Sequence, residues 1–285
     1  QGYRPSQLFL LIYLSCSNII IKKAIFPTLC DNLLDMNTKL ISQSALDIID
    51  QYKNFRIENA VCSIPYFNNK RTGNRASFRV EGGKGSPKDI YEEIEQRAFK
   101  EKIDLKLFDS ETLKKFLVDN SIGIDCSGYA YYILNDESLS LGKNTLDRYL
   151  SFPYAKGLFG KIKCMFRPIE NAGVQTFAHE KNSKVIPIKD VQVGDMITMV
   201  GGPDNGERDH ILIIYQVEYQ NFIPMTIHYT HAVAWPTDGE YGHGIHEGKI
   251  DILDLNKSLI EQRWTENDKI GEENYTFTRA QKSVT

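Results

Sequence analysis

Residues 123–134, GIDCSGYAYYIL, place a cysteine at the beginning of an apolar helix. A cysteine reacts as its thiolate, and an ordinary thiol pKa leaves little thiolate at neutral pH. A helix N-terminus presents unpaired N–H groups and a partial positive charge, which stabilise a thiolate located there. Ser127 and Gly128 carry little bulk, so a substrate can approach the backbone. Cys126 is therefore a candidate nucleophile, and a small buried core cysteine is the alternative.

A thiol nucleophile needs a base within reach, and the chain offers six histidines. They are His179, His210, His228, His231, His243 and His246. His210 opens the aliphatic run HILIIYQV after a polar loop, which predicts an imidazole at the rim of a sheet. His228 and His231 lie on the next predicted strand, where a spacing of three places them on opposite faces. At most one of the two can share a site with His210.

Helical patterns dominate the first part of the chain, and strand patterns dominate the second. Helices are predicted at 36–57, at 86–102 with Ser86 as cap, at 109–120 with Asp109 or Ser110 as cap, and from Cys126. Strands are predicted at 184–188, 195–200, 210–219, 225–235 and 248–255. This order predicts an α+β domain with an antiparallel sheet rather than a repeated βαβ unit.

The N-terminal residues contain an apolar run. Residues 8–21, LFLLIYLSCSNIII, are apolar and could be the core of a secretion signal. The text LIYLSC is also similar to the lipid-attachment box of bacterial lipoproteins, which would make Cys16 an anchor. The alternative is a native start at Met36. A real signal would place the protein in the cell envelope or outside the cell, and its absence would leave it cytoplasmic.

The remaining residues suit one large domain. We therefore expect an N-terminal extension at 1–35 and a single domain at 36–285. Helical insertions are expected at about 88–120 and 138–184, and the pattern leaves the second of these unresolved.

Composition excludes several classes of function. The formal net charge of −3 provides no basic excess for nucleic-acid binding. The five cysteines are scattered without any CxxC spacing, so neither a disulfide framework nor a zinc knuckle is indicated. The glycine-rich text EGGKGSP at 81–87 lacks the GxxxxGK[ST] spacing of a phosphate-binding loop.

The order of these motifs resembles the NlpC-type papain-like cysteine peptidases, a family of bacterial cell-wall peptidases. GIDCSGYAYYIL resembles the family's cysteine-bearing helix. VQVGDMITM (191–199) and DHILIIYQV (209–217) resemble its Gly-Asp strand and its histidine strand. YTHAVAW (229–235) resembles the strand that supplies the third polar residue, and IPYFNN (64–69) is similar to the family's Pro-Tyr element. Asn68 and Asn69 stand where the family usually has two glycines.

The resemblance implies a papain-like α+β fold and acyl transfer to sulfur, with no metal or organic cofactor. Cys126 would be the nucleophile, His210 the general base, and His231 the residue that orients His210. The Cys126 N–H and the Tyr66 hydroxyl would receive the oxyanion, with Asp125 and Ser127 in support. His228 is the alternative third residue. The implied substrate is a peptide, in particular a peptidoglycan stem peptide cleaved next to a γ-linked acidic residue.

Other functions remain open from the sequence. The same fold can carry an acyltransferase or amidase that passes the acyl group to an amine or lipid. The paired histidines of HYTH (228–231) and HGIH (243–246) could belong to a metal hydrolase, although their spacing is not that of two ligands on one helical face. A binding module with an inactive site is a third possibility. No nucleic-acid partner is expected, and a membrane is expected only if the apolar N-terminal run is a real signal or anchor.

Overall fold

The computed structural model describes residues 36–68, 79–200, 209–266 and 282–284. The predicted extension at 1–35, including Cys16, lies outside these residues, as does Asn69. The domain limits predicted above stay predictions. The predicted order of helices followed by an antiparallel sheet is confirmed.

The described residues contain eight α-helices. They are α1 (Gln43–Lys53), α2 (Pro87–Glu101), α3 (Ser110–Asp119), α4 (Cys126–Ser140), α5 (Gly157–Phe166), α6 (Pro168–Asn171), α7 (Val174–Ala178) and α8 (Gly239–Gly242). Ser86 begins α2 with a reciprocal capping box to Asp89, and the Asp109 carboxylate begins α3 by accepting from Thr112 N–H at 2.8 Å. Both predicted starts are confirmed. Among the described residues, no helix has the length and apolar character needed to cross a membrane.

Nine strands occur in the same residues. They are β1 (Met36–Leu40), β2 (Phe55–Ile57), β3 (Ala60–Cys62), β4 (Met196–Met199), β5 (His210–Gln220), β6 (Ile223–Val233), β7 (Gly244–Asp251), β8 (Arg263–Glu266) and β9 (Lys282–Val284). Seven of them form one antiparallel sheet. Six lie in the order β8-β7-β6-β5-β4-β9, and the seventh, β1, pairs with β5. Strands β2 and β3 form a separate hairpin.

Both faces of the sheet are covered, because alternate residues of β5 point to different cores. Ile211 and Ile213 pack in the core that contains α4, and Leu212 and Ile214 pack in a second core on the opposite face. A buried hydrogen bond of 2.9 Å between the hydroxyls of Tyr129 and Thr230 ties α4 to β6. The start of α4 is thereby held against the centre of the sheet.

One edge of β5 is shared by two strands. Met199 of β4 pairs with His210 at the beginning of β5, and Met36 of β1 pairs with Gln220 at its end. The first strand of the described chain therefore joins β5 at the end farthest from His210.

Three sequence predictions of secondary structure are wrong. Residues 36–40 form β1 rather than a helix, because the β5 edge offers them backbone partners; the helix starts only after the Ser42 cap. Residues 55–57 pair with β3 instead of continuing α1. Residues 184–188 form no strand, since Pro187 lacks a backbone donor and a 3₁₀ turn begins at Ile188.

Candidate active site

Cys126 is the first residue of α4, as the sequence predicts. The preceding residue, Asp125, caps the helix: its carboxylate accepts a hydrogen bond of 2.6 Å from Gly128 N–H. The Cys126 side chain is only 4% exposed. The thiol therefore lies inside the protein, against the unpaired N–H groups of a helix start.

Tyr66 reaches the same helix start through a short parallel bridge. Ile124 N–H donates to the Pro65 carbonyl, and Phe67 N–H donates to the Ile124 carbonyl, each at 3.0 Å. The bridge needs a glycine at 123, because a Cβ there would lie 2.4 Å from the Pro65 carbonyl oxygen. The structure thus brings Tyr66 to the segment that leads into Cys126.

His210 and His231 form a close pair at the rim of the sheet. His210 Nε2 lies 2.7 Å from His231 Nδ1, and the two rings meet edge to face with centroids 5.0 Å apart. A backbone hydrogen bond from Ile211, the residue after His210, is among the effects that lower the pKa of the Cys126 thiol. The start of α4 therefore meets the start of β5 at Cys126 and Ile211.

A buried carboxylate stands behind the histidine pair. Glu266, the last residue of β8, has its Oε1 atom 3.1 Å from His231 Nε2, and it accepts a hydrogen bond of 2.7 Å from the Trp235 indole N–H. His246 Nδ1 lies 3.1 Å from the same oxygen. Glu266 is 1% exposed and His231 is fully buried. The groups form a continuous polar row from His210 through His231 to Glu266.

Glu266 was not identified from the sequence, because it lies far along the chain from the histidines. One sequence feature points to it: Glu266 is two residues from Trp264 in the short strand RWTE, so both side chains lie on the same face of that strand. An acidic residue that shares a strand face with a buried tryptophan needs a buried partner.

His228 is not brought to His210. It lies on the face of β6 opposite to His231, as the spacing predicts, and its Nε2 atom is 2.8 Å from Glu218 Oε1. Its side chain is partly exposed, beside the ring of Tyr215. The geometry therefore favours His231 over His228 as the residue that contacts His210.

Within each histidine pair considered as metal ligands, the two members contact different groups. His243 Nδ1 accepts from Tyr66 N–H at 3.0 Å, and His246 Nε2 lies 3.4 Å from Asp238 Oδ2. Within the part of the chain that the structure describes, no group of three His, Cys, Asp or Glu residues is arranged to hold a metal ion.

Lys84 is a second site residue that sequence patterns do not identify. It lies in the glycine-rich segment 81–87, which lacks the spacing of a phosphate-binding loop. Its Nζ atom donates to Asp125 Oδ1 at 2.8 Å, to Ser127 Oγ at 2.6 Å and to the Ala172 carbonyl at 3.1 Å. Lys84, Asp125 and Ser127 are all buried. Asp125 and Ser127 therefore have their side chains bound to a buried cation, which fixes the beginning of α4.

Burial controls the ionisation of the candidate nucleophile and base. It raises the pKa of the Cys126 thiol to about 12, and the Asp125 charge adds to this, against smaller opposing effects of Lys84 and backbone hydrogen bonds. Burial and His231 lower the pKa of His210 to about 3, although Glu266 opposes them. The expectation of a resting thiolate stabilised by the helix start is therefore wrong for this conformation. Burial is the largest effect on both groups, and it shifts both pKa values toward the neutral forms.

Comparison of the chain with models of known protein families identifies its family. The model of the NlpC/P60 family matches residues 112–268, more than half of the chain, so the protein belongs to this family. The predicted papain-like α+β fold is confirmed, and the family is in general one of cysteine-dependent peptidases and amidases. No curated protein and no solved structure gives a significant match to the chain.

The Lys84 cluster predicts a large effect on stability. Lys84→Met leaves the Asp125 carboxylate buried without its cation, so we expect the free energy of unfolding in urea to fall by about 3 kcal/mol. Lys88→Met is the matched control, because Lys88 is a largely exposed lysine whose ion pair with Glu92 should contribute little. Equal losses in the two variants would contradict a structural role for the cluster.

The pKa of His210 predicts acid sensitivity. Below its ordinary pKa of 6.5, the unfolded chain binds a proton that the folded chain excludes until about pH 3. Stability should therefore fall by about 2 kcal/mol between about pH 7 and pH 5, above the range in which most carboxylates titrate. Urea unfolding of the wild type and of His210→Asn should show a loss that is larger by this amount in the wild type. An equal loss in both proteins would assign the acid sensitivity to other groups.

Proposed function

We propose that this protein is a cysteine peptidase or amidase that cleaves amide bonds of peptidoglycan stem peptides through a thioester on Cys126. The observation that carries the proposal is the His210–His231 pair, 2.7 Å apart, at the point where the start of β5 adjoins the Cys126 thiol. A thiol, a base and a group that orients the base are the three parts that nucleophilic catalysis requires.

The polar row behind His210 defines which nitrogen acts as the base. A carboxylate only accepts hydrogen bonds, so Glu266 accepts one from the Nε2–H of His231. The Nδ1 atom of His231 then accepts from the Nε2–H of His210. In this tautomer the lone pair of His210 is on Nδ1, which is therefore the atom that accepts the thiol proton.

The reaction follows from these roles. Because thiol and imidazole both rest neutral, the proton moves from Cys126 to His210 as the sulfur attacks the substrate carbonyl, rather than beforehand. The backbone N–H of Cys126 and the Tyr66 hydroxyl stabilise the oxyanion. His210 then protonates the leaving amine, and water hydrolyses the thioester with His210 again as base.

The substrate class rests on the family and on the motifs that resemble its cell-wall members. By that resemblance, the cleaved bond lies next to a γ-linked acidic residue of the stem peptide. Transfer of the acyl group to an amine or lipid uses the same first half-reaction and is the alternative outcome. A metal hydrolase is less well supported, since the two histidines of each pair that suggested it contact different groups.

A digest of purified peptidoglycan tests this function. The wild type should release fragments whose summed mass exceeds that of the parent muropeptide by one water. Cys126→Ala should release none while keeping its melting temperature, because one small side chain replaces another. Cys164→Ala, which changes another buried cysteine outside the site, is the matched control and should remain active. Activity of Cys126→Ala would refute cysteine catalysis, and products heavier by an acceptor would indicate acyl transfer.

Substitutions of the two histidines of β6 should have different effects on kcat. His231→Ala should lower kcat by roughly tenfold to a thousandfold with little change in KM, because the tautomer and orientation of His210 are lost. His231→Asn should recover part of this loss, since an amide oxygen can accept from His210. His228→Ala should leave kcat near the wild-type value and lower only stability, through loss of the Glu218 contact. A large kcat loss in the His228 variant alone would show that the assignment of the third residue is wrong.

A further inference from the structure

Helix α5 exposes an unusual amount of apolar surface. Five of its ten side chains are apolar and exposed: Leu158 (72%), Phe159 (88%), Ile162 (40%), Met165 (70%) and Phe166 (73%). Cys164 is the buried residue of this helix. A soluble surface rarely presents contiguous large apolar side chains of this kind unless they contact a partner.

The five side chains form one face. At 100° per residue they fall within an arc of about 120°, and Cys164 lies roughly opposite, toward the rest of the protein. The whole face therefore points away from the domain.

The charges within and just before α5 have one sign. Lys161 and Lys163 flank the apolar arc, and Lys156 adjoins the start of α5, whereas Arg167 at its end is paired with Glu170. The helix itself contains no Asp or Glu, although the whole chain carries a formal net charge of −3. A basic rim around an apolar face complements anionic headgroups above an acyl layer, because lysine stems can extend along the apolar surface to the headgroups.

We propose that α5 docks on the surface of an anionic phospholipid membrane, with its apolar face inserted among the acyl chains and its lysines against the headgroups. The ten residues span about 15 Å, half the thickness of a hydrocarbon core, so the helix lies in the interface and does not cross it. A second copy of the chain is a poorer occupant, since two such helices would bring their basic rims together.

The docking surface is linked to the candidate active site. Six residues beyond α5, the Ala172 carbonyl accepts the hydrogen bond from Lys84, the same lysine that holds Asp125 at the start of α4. Membrane contact through α5 is separate from the lipid anchor considered for residues 1–35. It would hold the Cys126 site close to the bilayer without any covalent lipid.

Vesicle flotation of the full-length protein tests the proposal. The wild type should float with vesicles of phosphatidylcholine and phosphatidylglycerol, and bind less to phosphatidylcholine alone or at high salt. Phe159→Ser with Phe166→Ser should lower the partition coefficient at least about tenfold. Lys161→Gln with Lys163→Gln should lower it about tenfold on the anionic vesicles only. Phe99→Ser is the control, because Phe99 is a helical phenylalanine of α2 that is 87% exposed, and it should bind as the wild type does.

Several results would overturn membrane docking through α5. They are absence of wild-type flotation, full binding by the Phe159/Phe166 variant, and an equal loss in the Phe99 control. A concentration-dependent dimer in gel filtration that only the Phe159/Phe166 variant abolishes, without vesicle binding, would assign the face to a second copy. Melting curves establish that each variant is folded, and none of these residues belongs to the proposed catalytic group.

Discussion

A buried helix start is the constraint on which the rest of this site depends. The N-terminus of α4 lies inside the protein, where its unpaired N–H groups find little water. Asp125 satisfies one of them, but a carboxylate buried in this way needs a cation, and Lys84 provides it. Lys84 in turn fixes Ser127 and the Ala172 carbonyl. One desolvated helix end thus organises the glycine-rich turn, the segment that begins α4, and the segment that follows α5.

The histidine side of the site follows from a second effect of burial. A fully buried imidazole such as His231 requires partners for both nitrogens, and these are His210 and Glu266. The row of partners fixes the orientation of both rings before any substrate arrives. The same desolvation shifts the pKa values of the Cys126 thiol and the His210 imidazole toward their neutral forms.

The sequence predicted the parts of this molecule that depend on local patterns. The caps of α2 and α3, the start of α4, and the opposite faces of His228 and His231 are local features, and all are confirmed. Lys84 and Glu266 could not be assigned, because their partners are distant in sequence and the reason for their burial is tertiary. The sequence predicts a helix where β1 forms for the same reason, because the partner that makes it a strand is the distant edge of β5.

The shared edge of β5 has a practical consequence for handling the protein. Met36 pairs with Gln220, ten residues along β5 from His210, and a strand of that length spans about 33 Å. A fluorophore or a surface tether attached at Met36 is therefore held at the end of β5 farthest from His210. Immobilisation at that point keeps the support away from the end of the sheet that carries His210.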